Sequence, residues 1–449
     1  MRVSLLFLLA AVLLFAGCAA PGGGSTSVPQ VDLSTSPKFP PVTRQQGFSC
    51  SQQTALYYLF TTEWNQRAAF SPTVMRRFSP YFAYSLLAGE QSGRSHVVDG
   101  WITAQHLGVP LLADCPGYSR TLMHGYDRYL RAMQYRVESW QILPVTTAAD
   151  VAHVQRLLAD GHPVACDFQI KGAVLQPLPR FPRISPRRME ALLTTATFDP
   201  GAPMVGQKFV ERWGTTGPGH AMVYAGYDAQ MGFDVNGDGE FTTDRDINGD
   251  GAVTLADCEL GAFLVVNPWG GGWGDRGRAW VPYRLHATTT WPRSRSVATV
   301  KVAPPQQPRL TLKLRLRAAD RQNVIVTVHR GGRSVQPWMF SHAPVPGGSN
   351  NLWEAFTTLR SPGPHLSTGS LAAPDGGPLE TGHDISALGS AEGCTLEIRP
   401  GGRGALSGQL AGASFIEHDS SGHAVREIPV AGLPVPLPGA GGVWPASAP

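Results

Sequence analysis

A segment free of glycine and proline, Gln52–Arg67, follows Cys50 directly, and Gly47 interrupts regular structure just before it. This pattern predicts a helix that begins at Cys50 and leaves the free backbone N–H groups of its first turn beside the sulfur. Because these groups carry the positive end of the helix dipole, they favour a negative charge on the cysteine. Any fold for this chain therefore has to hold one thiol at the N-terminus of a long helix.

Helical and β-type patterns occupy different parts of the region 31–290. Helical periodicity dominates early, and short apolar runs that are typical of buried strands dominate later. The predicted helices are Ser51–Arg67, His96–Leu107 and Ala148–Asp160, and the predicted strands are Pro163–Ile170, His220–Tyr227 and Ala262–Val266. Helices followed by strands indicate an α+β domain over residues 31–290.

The C-terminal region, residues 296–440, shows a different pattern. Thr311–Arg317 and Asn323–His329 alternate apolar and polar residues, and glycine and proline punctuate the remainder. Alternation with a period of two is typical of half-buried strands. We expect an all-β, sandwich-like C-terminal domain, which either binds a substrate or surface or serves as a stabilising spacer.

The N-terminus has the features of a targeting segment. Arg2 precedes an apolar stretch, Leu5–Phe15, that is short for a membrane span. Small residues then precede Cys18, which resembles the bacterial lipobox and implies lipidation of this cysteine; the alternative is an ordinary secretory signal cleaved nearby. Residues 1–18 are predicted to be a lipoprotein signal peptide and residues 19–30 a flexible tether. We expect the protein to be held by lipid at a bacterial cell envelope, at the outer membrane or cell surface.

Charge and cysteine content narrow the class of protein further. A formal net charge of +4, without a Lys/Arg block, gives no reason to expect nucleic-acid binding. Six cysteines are present, so lipidation of Cys18 leaves an odd number and at least one free thiol in an exported protein. The sequence contains no CxxC pair, which argues against a cysteine-ligated zinc site.

Three separated residues have the chemistry of nucleophilic catalysis. A thiol with an ordinary pKa of about 8.5 is a poor nucleophile at neutral pH, and an imidazolium neighbour with a helix N-terminus lowers that pKa. Cys50 stands at such a helix start, His220 begins an apolar strand, and Asn267 follows a later one. The histidine would move protons, and the amide oxygen of the asparagine would orient its ring. Gln46 or Gln45, together with the backbone N–H of Cys50, would donate to the oxyanion.

The segments around these residues resemble the papain-like cysteine peptidases. Three motifs carry the resemblance: Gln46-Gly47 before Cys50, Gly219-His220-Ala221 opening a strand that ends in Gly226-Tyr227, and Asn267-Pro268-Trp269-Gly270 followed by Trp273-Gly274. The resemblance implies a two-lobe domain, with Cys50 on a helical lobe, His220 and Asn267 on a β-rich lobe, and a peptide substrate in the cleft between them. It also implies that Gly93, Gly219 and Trp269 contact the substrate.

An acidic insert, residues 234–257, lengthens the connection between the strand of His220 and that of Asn267. Its second half has oxygen ligands at calcium-loop positions, with Gly251 at the sixth, and resembles a dockerin-type repeat. The predicted ligands there are Asp246, Asn248, Asp250, Ala252, Thr254 and Asp257. The first half offers Asp234, Asn236, Asp238 and Glu240, but Arg245 occupies its twelfth position. We expect structural Ca²⁺ here; the alternative is a solvated acidic turn.

The sequence also departs from the family pattern. Ser51 replaces the aromatic residue that usually follows the nucleophile, Pro268 replaces a serine, and only a short tether stands where the family has a long pro-region. The favoured interpretation is an exported, lipid-anchored cysteine endopeptidase. One alternative uses the same triad for transfer or deamidation. The other is a catalytically silent, calcium-stabilised surface binding protein on a peptidase scaffold.

Overall fold

The computed structural model describes residues 28–67, 76–88, 95–119, 124–177, 208–339, 370–402 and 404–446. The predicted signal peptide, with Cys18, and the predicted substrate contact Gly93 lie outside these ranges. Within them, no helix combines the length and the apolar character needed to cross a membrane. The described chain is a mixture of helices and sheets.

The helical part begins with one continuous rod from Cys50 to Arg67, which confirms the predicted helix. Its first turn is α1 (Cys50–Gln52), its middle is π-helical (Gln53–Phe60), and its end is α2 (Thr61–Arg67). Every residue of the π-helical stretch is buried, so the rod forms the centre of the helical part. The remaining helices are α3 (Tyr81–Ala88), α4 (Val97–Leu107), α5 (Tyr126–Ala132), α6 (Ala148–Ala159) and the short α7 (Leu285–Thr288).

Capping boxes explain where α4 and α6 begin. The side chain of Asp99 accepts a hydrogen bond from the backbone N–H of His96 at 2.7 Å, just before α4. Thr147 and Asp150 make the reciprocal pair at the start of α6. Each box satisfies backbone N–H groups that the first helical turn leaves unpaired. The predicted helices His96–Leu107 and Ala148–Asp160 are therefore confirmed, with their outermost residues acting as caps.

One nine-stranded sheet contains the predicted strands. It is built from β1 (Gln30–Asp32), β2 (Val137–Pro144), β3 (Val164–Lys171), β4 (Val174–Pro177), β5 (Lys208–Arg212), β6 (Thr216–Gly232), β7 (Leu260–Val266), β8 (Arg278–Pro282) and β9 (Ser296–Val302). The strand order is β2-β9-β3-β6-β7-β8-β5-β4, and β1 pairs with β6. The acidic insert lies between β6 and β7, which pair antiparallel, as the sequence predicted.

Strand β6 lies inside this sheet and is covered on both faces. Val223, Tyr224 and Ala225 are all fully buried, which explains why the strand is an apolar run without alternation. A Cβ atom at Gly226 would collide with the backbone carbonyl of Val31, so the glycine allows β1 to approach. The burial of β6 fixes the backbone on which His220 stands.

Two further sheets form from residues 310–446. Their strands are β10 (Leu310–Ala318), β11 (Val324–Arg330), β12 (Arg333–Val335), β13 (Leu379–Asp384), β14 (Thr395–Pro400), β15 (Gly408–His418), β16 (Ala424–Pro429), β17 (Val435–Pro436) and β18 (Gly442–Pro445). The five-stranded sheet has the order β13-β10-β15-β16 with β17 on β15, and the four-stranded sheet has the order β12-β11-β14-β18. Alternating residues of β10 and β11 are buried, as their pattern predicted.

The helical part and the C-terminal sheets share one apolar core. Phe82 of α3 and Tyr129 of α5 belong to the same buried cluster as Leu312 and Leu314 of β10. Polar contacts reinforce this packing, since the buried Arg321 donates to the Leu86 carbonyl at 2.7 Å. The C-terminal sheets are therefore packed against the helices and are not a loosely attached appendage.

The chain passes from the first sheet to the C-terminal sheets after Val302. Residue 296, the predicted start of the C-terminal domain, is the first residue of β9, and β9 pairs with β2 and β3 of the nine-stranded sheet. The valines of β9 at positions 297, 300 and 302 are buried, so the boundary between the two groups of sheets lies after β9.

Candidate active site

Cys50 is the first residue of α1 and lies against β6. Two backbone N–H groups favour a negative charge on its sulfur, that of Ser51 in the first helical turn and that of Ala221, the residue after His220. Burial raises the pKa of the Cys50 thiol, and these two donors act in the opposite direction. The side chain is only half-buried, so a reactant can still reach it. The structure therefore brings Cys50 next to the strand that carries His220.

His220 and Asn267 form a hydrogen bond whose direction is fixed by a third group. Nε2 of His220 lies 2.8 Å from Oδ1 of Asn267. The same Oδ1 accepts from the backbone N–H of Trp269 at 3.0 Å, which identifies it as the oxygen because an N–H only donates. Nε2 must then carry a proton, so Nδ1 holds the free lone pair of the neutral ring. His220 can take up a further proton at Nδ1 alone.

Burial and an aromatic cover isolate this hydrogen bond from solvent. His220 is 5% exposed and Asn267 is fully buried. The ring of Trp269 lies over the imidazole with a centroid distance of 4.7 Å, and its outer face is exposed. The Nδ2 atom of Asn267 is buried without a hydrogen-bond partner. Asn267 therefore acts through its oxygen, and its amide N–H groups contribute no bond to the fold.

Burial at this site works against the predicted low pKa of the Cys50 thiol. Burial raises the pKa of Cys50, and it lowers the pKa of His220 to about 4 although the Asn267 bond acts to raise it. Each group on its own is thus held neutral, because a low dielectric penalises an isolated charge. An ion pair at this site would require transfer of the thiol proton to Nδ1, which would leave the total charge of the pair at zero.

Backbone contacts join the loop before Cys50 to the loop after Asn267. The N–H of Gln45 donates to the Pro268 carbonyl at 2.7 Å. Arg44 and Trp269 form an isolated antiparallel bridge next to it. These contacts connect two segments that are far apart in the sequence, and they hold the helix start and the His220–Asn267 pair in one place.

The two candidate glutamines have different surroundings. The side-chain Nε2 of Gln45 donates one of its two N–H groups to the Gly47 carbonyl at 2.9 Å, which holds this amide against its own loop. The side-chain Oε1 of Gln46 accepts from the Tyr118 backbone N–H at 2.8 Å, which directs its Nε2 to the other side. Gln46 therefore has an anchored amide with a donor to offer, whereas Gln45 contributes a backbone contact.

A charged pair beside the site has no signal in the sequence. Asp167 of β3 lies opposite Ala221 of β6, and its Oδ2 is 3.9 Å from Nη1 of Arg293. Oδ1 of Asp167 is buried without a hydrogen-bond partner. A Cβ atom at Gly219 would lie 2.5 Å from that Oδ1 and 3.0 Å from the ring of Trp291. Gly219, a predicted substrate contact, is thus required here by the packing of Asp167 and Trp291.

In the second acidic loop, side-chain oxygens accept hydrogen bonds from backbone N–H groups of the same loop. Asp246 accepts from the backbone N–H groups of Gly249 at 2.7 Å and Gly251 at 2.8 Å. Asp257 is fully buried, and it accepts from Ile247 N–H at 3.2 Å and from Thr254 N–H at 2.9 Å. The predicted ligands Asn248 and Asp250 cap the same turn, and Ala252 donates its N–H to Asp250 at 2.9 Å.

The first acidic loop is closed by a residue that the sequence analysis missed. Asp234 accepts from Gly237 and Gly239, as Asp246 does in the second loop, and Asn236 and Asp238 follow the same pattern up to Glu240. Glu259, fully buried, accepts from Val235 N–H at 2.8 Å and Thr242 N–H at 2.9 Å. Because Val235 and Thr242 correspond in loop position to Ile247 and Thr254, Glu259 takes the place of Asp257. Glu259 lies just after the insert in the sequence, and this closeness could have indicated its role.

Two further observations concern metal binding and the cysteines. In the described part of the chain, no three His, Cys, Asp or Glu side chains converge to form a metal-binding group. The predicted calcium ligands also include amide, hydroxyl and backbone carbonyl oxygens, so they would not appear as a group of this kind. The cysteines at positions 50, 115, 166, 258 and 394 are all free thiols.

No protein-family model and no curated protein matches this sequence. Among solved structures, the chain is similar to xylellain, a cysteine protease from Xylella fastidiosa, with 18% identity and a TM-score of 0.34 over 61% of this chain and 86% of that one. It is similar to the proform of Amb a 11, a ragweed pollen cysteine protease, with 13% identity and a TM-score of 0.37 over 62% and 67% of the two chains. It is also similar to procathepsin L 3 of Tenebrio molitor larval midgut, with 12% identity and a TM-score of 0.37 over 64% and 74%. All three are cysteine proteases, at low identity and modest TM-scores.

Proposed function

We propose that this chain is a cysteine endopeptidase that hydrolyses peptide bonds through Cys50, His220 and Asn267. The observation that carries the proposal is the directed hydrogen bond from His220 Nε2 to Asn267 Oδ1. It leaves Nδ1 as the only proton acceptor on a ring whose neighbour in β6, Ala221, contacts the Cys50 sulfur. We further propose the papain-like arrangement of two lobes, followed by a C-terminal β-sandwich domain.

The proposed reaction follows from the protonation states of the resting site. The Cys50 proton moves to Nδ1 of His220 as the sulfur attacks the peptide carbonyl carbon. His220 then gives this proton to the leaving amine as the C–N bond breaks, and a thioester remains on Cys50. Water, deprotonated by His220, releases the acid and restores the thiol. Asn267 keeps the imidazole in the tautomer and orientation that both transfers need.

The oxyanion formed during attack requires donors close to Cys50. We assign this role to the backbone N–H of Cys50 and the side-chain Nε2 of Gln46, with Gln45 as the alternative. The anchored carbonyl of Gln46 supports this choice, because the Tyr118 contact holds the amide in one orientation. Trp269 and Gly219 would border the bound peptide, since Trp269 is 43% exposed beside His220 and Gly219 precedes it.

Calcium is proposed as a structural ion in the acidic insert. Carboxylate, amide and carbonyl oxygens are the donor set that Ca²⁺ prefers, and both loops offer them at matching positions. Asp246, Asn248, Asp250, Ala252, Thr254 and Asp257 would hold one ion, and Asp234, Asn236, Asp238 and Glu240 would hold another with Glu259 as the closing carboxylate. A bound cation would offset the repulsion between acidic groups and order the β6–β7 connection.

Export and lipid anchoring are proposed from the N-terminal sequence. Lipidation of Cys18 would attach the protein to the membrane of a bacterial cell envelope, where its substrates would be peptides or proteins. Palmitate labelling of the expressed protein, lost in Cys18→Ser, is the expected result. Retention of the label in that variant would contradict the proposal.

Active-site labelling tests the proposed activity against its alternatives. A peptidyl epoxide should form one adduct on Cys50, and the adduct should be absent in Cys50→Ala and much slower in His220→Ala. Cys258→Ala is the matched control, because Cys258 is another free thiol away from the site. Labelling without peptide hydrolysis would favour transfer or deamidation, and no labelling of a folded protein would favour the silent binding protein.

A further inference from the structure

Asp167 occupies a position beside the proposed nucleophile that its hydrogen bonds do not explain. It lies opposite Ala221 in the β3–β6 pairing, and the N–H of Ala221 contacts the sulfur of Cys50. One carboxylate oxygen, Oδ1, is buried without a hydrogen-bond partner. The space that this oxygen needs is provided by Gly219, where a Cβ would come within 2.5 Å. A buried carboxylate oxygen without a partner costs free energy, so packing alone does not explain an aspartate at this place.

Arg293 holds this carboxylate and connects it to the helical part. Its Nη1 is 3.9 Å from Oδ2 of Asp167 and 3.0 Å from Nδ1 of His96, the N-cap of α4. The side chains of Arg293 and Asp167 are 14% and 25% exposed, so the pair lies at the edge of the buried region. A pair at this distance, without direct hydrogen bonds, neutralises the carboxylate only in part.

Within the described ranges, the electrostatic neighbours of Asp167 besides Arg293 include two thiols and one backbone donor. Cys50 and Cys166 both experience its negative charge, and the backbone N–H of His220 interacts favourably with it. Asp99 interacts electrostatically with Arg293, and burial raises the pKa of Asp99 to about 7. Among these groups, Cys50 is the half-buried thiol that a reactant can reach, whereas Cys166 is fully enclosed.

We propose that Asp167, held by Arg293, is a positioning residue that controls how readily Cys50 gives up its proton. The proposal rests on the proposed function, because it assigns a role within the same site. An ionised carboxylate repels the thiolate and so disfavours ionisation of Cys50. Protonation of Asp167 removes that repulsion and extends the reactivity of Cys50 to lower pH.

The direction of the pH dependence follows from the properties of Asp167. Burial raises the pKa of Asp167 to about 6, although Arg293 and the His220 N–H act to lower it. Above that pH the carboxylate is charged and opposes the thiolate; below it the carboxyl group is neutral. Asp167→Asn keeps the shape and removes the charge at every pH, whereas Arg293→Gln removes the group that compensates it.

The test is the pH dependence of iodoacetamide alkylation of Cys50, measured by mass spectrometry on the full chain. We expect the midpoint to move down by about one pH unit in Asp167→Asn, which is about a tenfold faster reaction on the acid side. We expect Arg293→Gln to move it up, because the remaining carboxylate is then uncompensated. The matched control Asp127→Asn, at an exposed carboxylate in α5, should leave the midpoint unchanged.

Opposite shifts of the alkylation midpoint in Asp167→Asn and Arg293→Gln support the proposal, because damage to the fold would not move the two midpoints in opposite directions. An unchanged midpoint in Asp167→Asn, or shifts of the same sign in both variants, overturns it. Epoxide labelling run in parallel separates this outcome from failure of the proposed function. If the epoxide labels Cys50 while the alkylation midpoints coincide, the peptidase proposal stands and the role of Asp167 is refuted.

Discussion

Replacement of Asn267 by alanine tests whether the His220–Asn267 bond serves catalysis or the fold. The substitution removes the acceptor of two hydrogen bonds, at 2.8 Å from His220 and at 3.0 Å from the Trp269 N–H. It removes no bond made by Nδ2, because that atom has no partner. The imidazole would then be free to rotate and to change tautomer, so that Nδ1 would lose its fixed position and its free lone pair.

The size of the effect can be worked out from these contacts. A buried hydrogen bond to a ring that becomes positively charged contributes about 1.5–3 kcal/mol. If this bond is strongest when His220 is protonated, its loss falls on the transition state and lowers kcat/KM by about 10- to 150-fold. The free energy of unfolding should fall by only about 1–2 kcal/mol, because one of the two donors can be hydrated near Trp269.

Asn323→Ala is the matched control for this experiment. Asn323 is a buried asparagine in the C-terminal region; its Nδ2 donates to Gly404 O at 3.0 Å and its Oδ1 accepts from Gly401 N–H at 3.0 Å. It should lose at least as much stability as Asn267→Ala and keep its activity. Hydrolysis of a fluorogenic peptide and urea unfolding measure the two quantities. Equal losses of kcat/KM in both variants, or full activity in Asn267→Ala, would refute the reasoning.

Three further predictions concern separate parts of the molecule. Gln46→Ala should lower kcat by about 10- to 100-fold and Gln45→Ala by clearly less, because the Tyr118 contact anchors the Gln46 amide whereas the Gln45 amide is bonded to Gly47 of its own loop. Equal losses in steady-state kinetics would contradict this. Added Ca²⁺ should raise the melting temperature of the full chain, and Asp246→Asn should abolish most of the increase. A wild-type melting temperature that is the same with Ca²⁺ and with chelator would exclude the ion. His162→Ala should destabilise the protein more at about pH 5.5 than at about pH 8.5, because the hydrogen bond that His162 donates to Glu63 raises the pKa of His162. The stability linked to a raised histidine pKa is lost as pH rises. Urea unfolding at both pH values measures this, and equal losses would contradict it.

Local patterns were sufficient to predict the elements that carry Cys50, His220 and Asn267. The helix after Cys50 and the strands β6 and β7 each have one strong signal, either the absence of helix breakers or a continuous apolar run. Asp167 could not be recognised in the same way. It is one polar residue in a buried strand, and its role depends on pairing with β6 and on Arg293, which is far along the chain.

The first acidic loop shows a different limit of sequence reasoning. A contiguous twelve-residue pattern fails there because Arg245 occupies the closing position. The fold supplies Glu259 instead, beyond the second loop, through contacts with Val235 and Thr242. A pattern of fixed length cannot include such a residue, whereas the antiparallel return of β7 along β6 brings it close.

Removal of the His220 side chain tests what ionises Cys50. In the resting site, burial disfavours charge on Cys50 and on His220 separately, so the thiolate depends on a proton acceptor at Nδ1. His220→Ala removes the acceptor but keeps the Ala221 and Ser51 N–H donors, which burial outweighs. Cys50 should then react with iodoacetamide only in the alkaline range of a buried thiol, whereas the wild-type chain should react near neutral pH.

The comparison needs a second variant that removes the basic nitrogen but keeps a polar side chain of similar volume. His220→Gln is such a control for volume and polarity, and it offers no basic nitrogen, so its alkylation profile should match that of His220→Ala. If all three proteins gave the same profile, the sulfur would be ionised by its backbone donors alone. The histidine would then be a core residue of β6, and the proton transfer on which the proposed hydrolysis depends would have no acceptor.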